Sequence, residues 1–551
     1  MFKIQLTRSG AFVPYAAFEN LQEGLRAVIN QFTLRFRTIT GAYESISRSQ
    51  LQYEKKRIIV PRFGARLLLA DKKKFRLKNE LILENLISAG QPTAFTWRGT
   101  LTHNQEVVIA HLMNNVYNDE ARAAGLAGCV LNLEAGQGKT YVAARLISLL
   151  QTKTCYVLHS SATLEQTRQA FVNTLTDVHI GAYYTREKTD GDIVLIIINS
   201  ALSDVFKFDD GREIPAIEFF RQFGLIIFDE CHEYSGKWKA GVFRRAQSTC
   251  VLGLSATPDA NTKGFDDVVM WELGPVVLAN ALPDYRRADI NFTAQVTRIR
   301  YYGPPEYTKT IINEILGVVN AVATMNMIAC DPYRIRVILD AIHACIAGGL
   351  NVFVFADRKE YLEIIRQLFI GEARGQSAQG NNDDSDVLFD ERDYQRIVGG
   401  ASEDEFKQAE VKSRVIFTTY QYMGTGKSII KMNALVFATP RKTKLKQYYN
   451  RIFRLGSDAA IRREIYIISD MKTTFGKHWT HHNKYIGEMG YAVANREVKA
   501  ETLTPVVLPR SYNSLAELVP NSLIELVPNS LAEFSASLLE TKLVPEERSD
   551  E

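Results

Sequence analysis

The chain has 551 residues, 46% hydrophobic and 23% charged, enough for roughly three or four domains of about 100–200 residues. Its 34 glycines and 16 prolines exclude a collagen-like or largely disordered chain, and 66 Lys+Arg against 62 Asp+Glu leave +4, which names no partner. Six scattered cysteines with no CxxC pair exclude a disulfide framework and a zinc site, and no apolar run reaches the ~18–20 residues of a membrane helix, so a soluble intracellular protein with no membrane contact is expected.

In chain order, the first segment alternates polar and apolar residues too early for a signal peptide. From Met1 to Thr100, 17 basic residues stand against 7 acidic ones, with clusters at Lys55–Arg57 and Lys72–Lys78. Such a surplus suits a polyanion such as nucleic acid, and it equally suits a small sheet with a solvated basic face. Phe63, Phe75 and Tyr53 lie among these cations as candidates for base stacking. Residues 1–90 are therefore read as a small basic accessory domain.

Over residues 91–280, short apolar runs alternate with helical patterns. Strands are expected at Gly128–Leu133, Thr154–His159, Ile193–Ile198, Leu225–Phe228 and Thr249–Leu254, with helices at Thr140–Leu150 and Ala162–Thr174. Buried strands alternating with helices imply a parallel sheet. The pattern recurs over 281–500, with strands at Asn351–Phe355, Arg414–Thr418, Ala434–Ala438 and Glu464–Ile468 and helices at Lys359–Phe369 and Leu445–Arg451. The polar run Gly375–Asp386 reads as an exposed loop. In the tail, 501–551, the octapeptide NSLAELVP at Asn513–Pro520 repeats with small changes, and 8 acidic residues stand against 2 basic ones from Ser511 on. The tail reads either as a face for a protein partner or as an expanded repeat without a specific role.

The sharpest chemical signal is LEAGQGKT, Leu133–Thr140, between a strand and a helix. In such a loop the backbone N–H groups of Glu134, Ala135, Gly136, Gln137 and Gly138 cradle phosphate oxygens, and the helix N-terminus adds to the attraction. Lys139 neutralises the β- and γ-phosphates of ATP, and the Thr140 hydroxyl ligates Mg²⁺. About 90 residues on, LIIFDECH at Leu225–His232 ends an apolar strand in two carboxylates. Asp229 suits the metal, and Glu230 suits orienting and deprotonating the attacking water.

With these residues in place, the chain resembles the superfamily 2 helicases of the DExH type. LEAGQGKT matches their motif I and Asp229–His232, DECH, their motif II, with His232 in the catalytic set. LSATP at Leu254–Pro258 matches motif III, and QYYNRIFR at Gln447–Arg454 matches motif VI with Asn450 in place of a glycine. The resemblance implies two tandem RecA-like parallel-sheet domains behind the accessory domain. It gives Ser255, Thr257 and Gln447 the coupling of hydrolysis to movement, and makes Arg451 and Arg454 arginine fingers reaching the γ-phosphate across the interdomain cleft. Gln105 falls where the family reads the adenine edge, with Thr102 in place of the usual arginine. Leu164, Gln166, Tyr184 and Thr185 fall on the nucleic-acid track. Thr419 and Gly426 align with motif V, where Ser428 replaces the usual aspartate.

The segment Gly424–Ser428, GTGKS, imitates a second phosphate loop, but the strand after it ends in TPRK rather than an acidic pair, which favours a backbone turn. IIVPRFG at Ile58–Gly64 and FTWRGTLTHNQ at Phe95–Gln105 are similar to the helicases of large DNA viruses and phages related to the RAD25-type and RecG-like motors. That resemblance points to an ATP-dependent motor on DNA, and to a virion or an infected cell as its setting. An RNA helicase shares all these motifs. A hydrolysis-deficient scaffold is the other alternative, motivated by Thr102, Asn450 and Ser428.

Overall fold

The computed structural model describes residues 2–37, 43–134, 137–236, 238–256, 265–286, 293–312, 319–379, 390–423, 429–453 and 461–508. The tail repeat, the GTGKS segment and Arg454 lie outside the described residues. Two compact units divide the chain. One comprises Met1–Phe292, Gln421–Ile429 and Lys446–Ser457, and the other Thr293–Tyr420, Ile430–Leu445 and Asp458–Glu551.

The first unit begins with a five-stranded sheet in the order Gln50–Gln52, Arg57–Val60, Gly10–Pro14, Phe2–Thr7, Leu81–Asn85. Ile4, Leu6, Val13, Ile58 and Val60 bury its inner face. Phe63 and Phe75 are buried in the same core, which corrects their reading as stacking residues; of the three aromatics only Tyr53 is exposed. Phe63 follows Arg62, and Phe32 meets Trp271 edge to face at 5.3 Å, so the N-terminal sheet and the larger sheet behind it share one apolar core.

That larger sheet has eight strands in the order Glu187–Lys188, Ile180–Tyr184, Ile193–Ile197, Thr154–Leu158, Leu225–Phe228, Cys250–Ser255, Ala127–Asn132, Val276–Leu278. All pairings except that of Glu187–Lys188 are parallel. The central strands are buried along their length, which is why they read as unbroken apolar runs. The register sets Phe228 beside Gly253 and Ser255 beside Asn132, so the ends of three strands finish side by side.

Arg62 locks the two sheets together. Its guanidinium is fully buried and donates to the carbonyls of Gly125 at 2.6 Å and Thr249 at 2.6 Å, and to that of Ser248. No carboxylate pairs with it through these contacts; the carbonyls do the work of a counter-ion.

The second unit carries a seven-stranded, wholly parallel sheet in the order Tyr394–Arg396, Val415–Thr419, Val352–Ala356, Ala434–Phe437, Glu464–Asp470, Gln295–Tyr302, Ala492–Lys499. Both parallel sheets expected from the sequence are therefore present, and the strands named for them begin and end within two residues of their expected positions. Three strands escape an apolar-run reading. Gln295–Tyr302 alternates with arginines, Tyr394–Arg396 is short, and Ala492–Lys499 is an exposed edge. The loop expected from Gly375 begins later, because the helix Lys359–Gln379 continues through EARGQSAQ, whose Glu, Ala, Arg and Gln favour helix enough to carry one glycine. The helix expected over Leu445–Arg451 is α only to Tyr449 and tightens to 3₁₀ over Asn450–Ile452. Among the described residues no helix is long and apolar enough to cross a membrane.

Candidate functional site

Ligands of parallel α/β sheets bind at the carboxyl ends of the strands. In the first unit those ends hold the residues singled out in the sequence. Ala127–Asn132 runs into the loop that starts the twelve-residue helix Lys139–Leu150, whose Tyr141 and Val142 N–H groups donate back to the Gly138 carbonyl. Gly138 sits at φ +77°, ψ 44°, in the left-handed region, and a Cβ there would lie 2.3 Å from Gln105 Nε2. The backbone favours glycine, and any side chain there would also displace the Gln105 amide. Ala135 and Gly136 lie outside the described residues, while Glu134, Gln137, Lys139 and Thr140 are partly buried around the loop.

Gln105 is placed against this loop, not away from it. Its Nε2 donates to the Gln137 carbonyl at 3.0 Å and its Oε1 accepts from Thr102 N at 2.9 Å. Thr102 in turn caps the helix His103–His111, completing a capping box. The threonine that departs from the family pattern thus has a local reason: it is an N-cap.

The acidic pair follows the strand Leu225–Phe228, which Cys250–Ser255 separates from Ala127–Asn132 in the sheet. Lys139 Nζ lies 3.1 Å from Glu230 Oε1. Glu230 has a left-handed backbone, φ +47°, ψ 48°, a conformation costing of order 1–3 kcal/mol for a residue with a side chain. Asp229 N donates to the Val157 carbonyl at 2.9 Å, and Glu230 N donates to Asp229 Oδ1 at 3.1 Å. Burial, reinforced by the Glu230 carboxylate, pushes the Asp229 carboxyl well above the usual range. Burial also acts to raise Glu230, but Lys139 and His232 outweigh it and hold that carboxyl low. The pair is therefore split, with Glu230 charged and Asp229 reluctant to be.

His232 Nδ1 and Ser255 Oγ share a hydrogen bond at 2.9 Å, both buried, so the second and third motifs are joined directly. Tyr234 stacks on His159 with centroids 6.2 Å apart, tying the same turn to the strand Thr154–Leu158. Neither aromatic was singled out in the sequence; their one signal is a position just past a strand end. Leu164, placed on the nucleic-acid track, is instead buried in the core, while Gln166 and Thr185 are exposed and Tyr184 half-buried. Gln447 lies half-buried on the helix Leu445–Tyr449, and Arg451 is buried in the 3₁₀ turn after it. Thr419 is buried at a strand end, and Thr257 lies outside the described residues.

The donor set suits Mg²⁺. No cluster of three or more His, Cys, Asp or Glu that could hold a metal occurs among the described residues. Mg²⁺ needs no such cage, because one or two protein oxygens suffice when phosphate and water complete its shell. Asp229, just past the strand Leu225–Phe228, and Thr140, in the first turn of the helix Lys139–Leu150, are the residues that would supply those oxygens. Glu230 Oε2 is buried, makes no hydrogen bond among the described residues and lies 3.5 Å from His232 Nδ1.

Residues 98–260 match the family model described as type III restriction enzyme, res subunit. The putative ATP-dependent RNA helicase QP509L of African swine fever virus (isolate Tick/Malawi/Lil 20-1/1983) is 28% identical over 364 residues, covering 62% of this chain and 65% of that protein. The chain thus matches just under two thirds of the length of that relative. The putative ATP-dependent RNA helicase L396 of Acanthamoeba polyphaga mimivirus is 23% identical over 409 residues, covering 72% of this chain and 70% of the relative. Among solved structures, T4 UvsW is 14% identical with a TM-score of 0.34, covering 91% of this chain and 100% of that one. In sequence the chain resembles the superfamily 2 helicases of large DNA viruses, as the order of its motifs led one to expect.

Proposed function

We propose that this chain is an ATP-dependent nucleic-acid helicase or translocase acting on DNA. The observation that carries the reading is the Lys139–Glu230 contact beside Asp229, with the Ser255–His232 hydrogen bond leading away from it. Lys139 exchanges Glu230 for the β- and γ-phosphates of ATP. Glu230, released, orients a water and takes its proton. Thr140 and Asp229 hold Mg²⁺, which when bound neutralises charge on the phosphate oxygens. Loss of the γ-phosphate changes what Glu230 faces, and His232 passes that change to Ser255 and its strand. Arg451 and Arg454 serve as arginine fingers, Gln447 and Thr257 as coupling residues, and Gln105 as a contact that senses an occupied phosphate loop.

In this reading residues 1–90 form the accessory domain, 91–280 and 281–500 the two motor domains, and 501–551 a tail that recruits a protein partner. Contact is mainly to phosphates and independent of sequence. RNA is the second reading, favoured by the names of the viral relatives, putative ATP-dependent RNA helicases.

The test is phosphate release with no nucleic acid, then with single-stranded DNA, branched DNA and single-stranded RNA, with Lys139→Ala as the blank. Stimulation by DNA above RNA is expected. Equal or greater stimulation by RNA moves the reading to RNA, and no turnover above the blank ends it.

A further inference from the structure

The strand Thr154–Leu158 is buried along its length. At its middle, Tyr156 carries a hydroxyl into the dry core, where leucine or isoleucine would fill the space without a polar atom. A buried tyrosine hydroxyl normally has a full partner. Tyr156 Oη is buried and makes no well-formed hydrogen bond among the described residues.

The register of the sheet places this side chain. Tyr156 pairs with Ile227 of the neighbouring strand Leu225–Phe228. Both belong to the core that contains Val142, Ala143 and Leu146 of the helix Lys139–Leu150, whereas Val157 and Phe228 belong to the core on the opposite face. Alternation then returns Asp229 to the face of Ile227 and Tyr156. The Tyr156 ring stands edge to face against Phe171, with centroids 5.4 Å apart. Its hydroxyl meets the side chain of Thr140, in the first turn of the helix that follows the phosphate loop, and lies in the field of Asp229 and Glu230. Burial first, then those two carboxylates, hold the phenol well above its ordinary range, and Thr140 acts less strongly the other way. At neutral pH the group is therefore an O–H donor.

Packing accounts for the ring but not for the hydroxyl, since phenylalanine would make the same contact with Phe171. The chemistry of threonine supplies a use for it. A helical threonine divides between two χ1 rotamers, because its hydroxyl can turn back to a carbonyl of the preceding turn. A threonine that ligates a cation must keep one lone pair on the cation's side. A phenol donating to Thr140 Oγ1 from within the core takes the other lone pair and so selects the rotamer.

We propose that Tyr156 is a positioning residue for the metal ligands of the nucleotide site, its hydroxyl donating to Thr140 Oγ1 and holding that oxygen toward Mg²⁺. The inference rests on the ATP-hydrolysing reading above and deepens it. Tyr156 lies outside both LEAGQGKT and DECH, so neither motif marks it.

The test uses the full chain and a fluorescent, non-hydrolysable ATP analogue, with affinity read by anisotropy in EDTA and in Mg²⁺. Tyr156→Phe keeps the ring and removes only the hydroxyl. In EDTA it is expected to bind the analogue as tightly as the parent. In Mg²⁺ it is expected to bind about tenfold or more weakly than the parent, the usual loss when a group behind a metal ligand is removed. The Mg²⁺ concentration at half-maximal ATP turnover is expected to rise by a similar factor. Thr140→Ala is expected to show the same Mg²⁺-specific deficit, and the double variant no larger one, because the phenol acts through Thr140. Tyr156→Phe that matches the parent in Mg²⁺, a deficit equal in EDTA and Mg²⁺, or one that adds in full to that of Thr140→Ala overturns the positioning role alone. A parent that binds no analogue, or whose affinity Mg²⁺ does not improve, ends the nucleotide reading and the proposal with it.

Discussion

At the scale of single residues, Gly138 and Asp229 are the most constrained. Gly138 combines a left-handed backbone with an approach to Gln105 so close that a methyl group would push the Gln105 amide off the loop. Gly138→Ala is expected to lower ATP turnover by about 10–100-fold, because the loop shifts by a fraction of an ångström or more under the lysine it positions. Steady-state phosphate release checks this, and unchanged turnover would show that the loop yields freely. Asp229 leads to a pH dependence. Its carboxyl is raised, so the protonated form, which binds Mg²⁺ poorly, persists to a higher pH than in an ordinary aspartate. Turnover at limiting Mg²⁺ is expected to fall on acidification while the pH is still above the usual carboxylate range, and added Mg²⁺ is expected to restore it. A profile flat down to that range would remove Asp229 as the ligand. The sequence showed both residues through GKT and DECH. It did not show that Gln105 would close on the loop, since that contact joins positions 32 residues apart through the start of a different helix.

Among elements, the seam between the N-terminal sheet and the larger sheet depends on Arg62. Three carbonyls, at Gly125, Ser248 and Thr249, converge on one guanidinium that is wholly buried. Arg62→Ala leaves them without donors in a dry interface, at a cost of about 3 kcal/mol or more. A clear drop in the thermal unfolding midpoint is expected, and Arg62→Lys should recover little of it, because an ammonium cannot reach three separated acceptors in one plane. A midpoint unchanged in Arg62→Ala would mean that the shared core alone holds the seam. The segment IIVPRFG was legible as distinctive but not as a rivet, because its acceptors are main-chain atoms and any residue type can supply them. Strands followed the same division. Those buried on both faces announced themselves as apolar runs, while Gln295–Tyr302 and Ala492–Lys499 did not, because edge and half-exposed strands keep charges.

For the molecule as a whole, the weight of basic residues in the first hundred positions bears on association. If phosphates supply most of the contact, affinity for a single-stranded oligonucleotide is expected to drop at least about tenfold between roughly 50 and 200 mM salt, as bound counter-ions are displaced less readily. Anisotropy at a series of salt concentrations checks this, and a flat series would exclude phosphate-dominated binding. Fold class was readable along the chain, because burial on both faces of a sheet demands apolar residue types over consecutive positions, and the candidate site residues stood out because cradling phosphate demands particular residue types within a few positions. Which side chains meet was decided only in three dimensions. The His232–Ser255 bond, the Gln105 clasp, the burial of Phe63 and Phe75 and the meeting of Tyr156 with Thr140 depend on which strands lie side by side and which surfaces another element covers. Local composition carries no record of those neighbours.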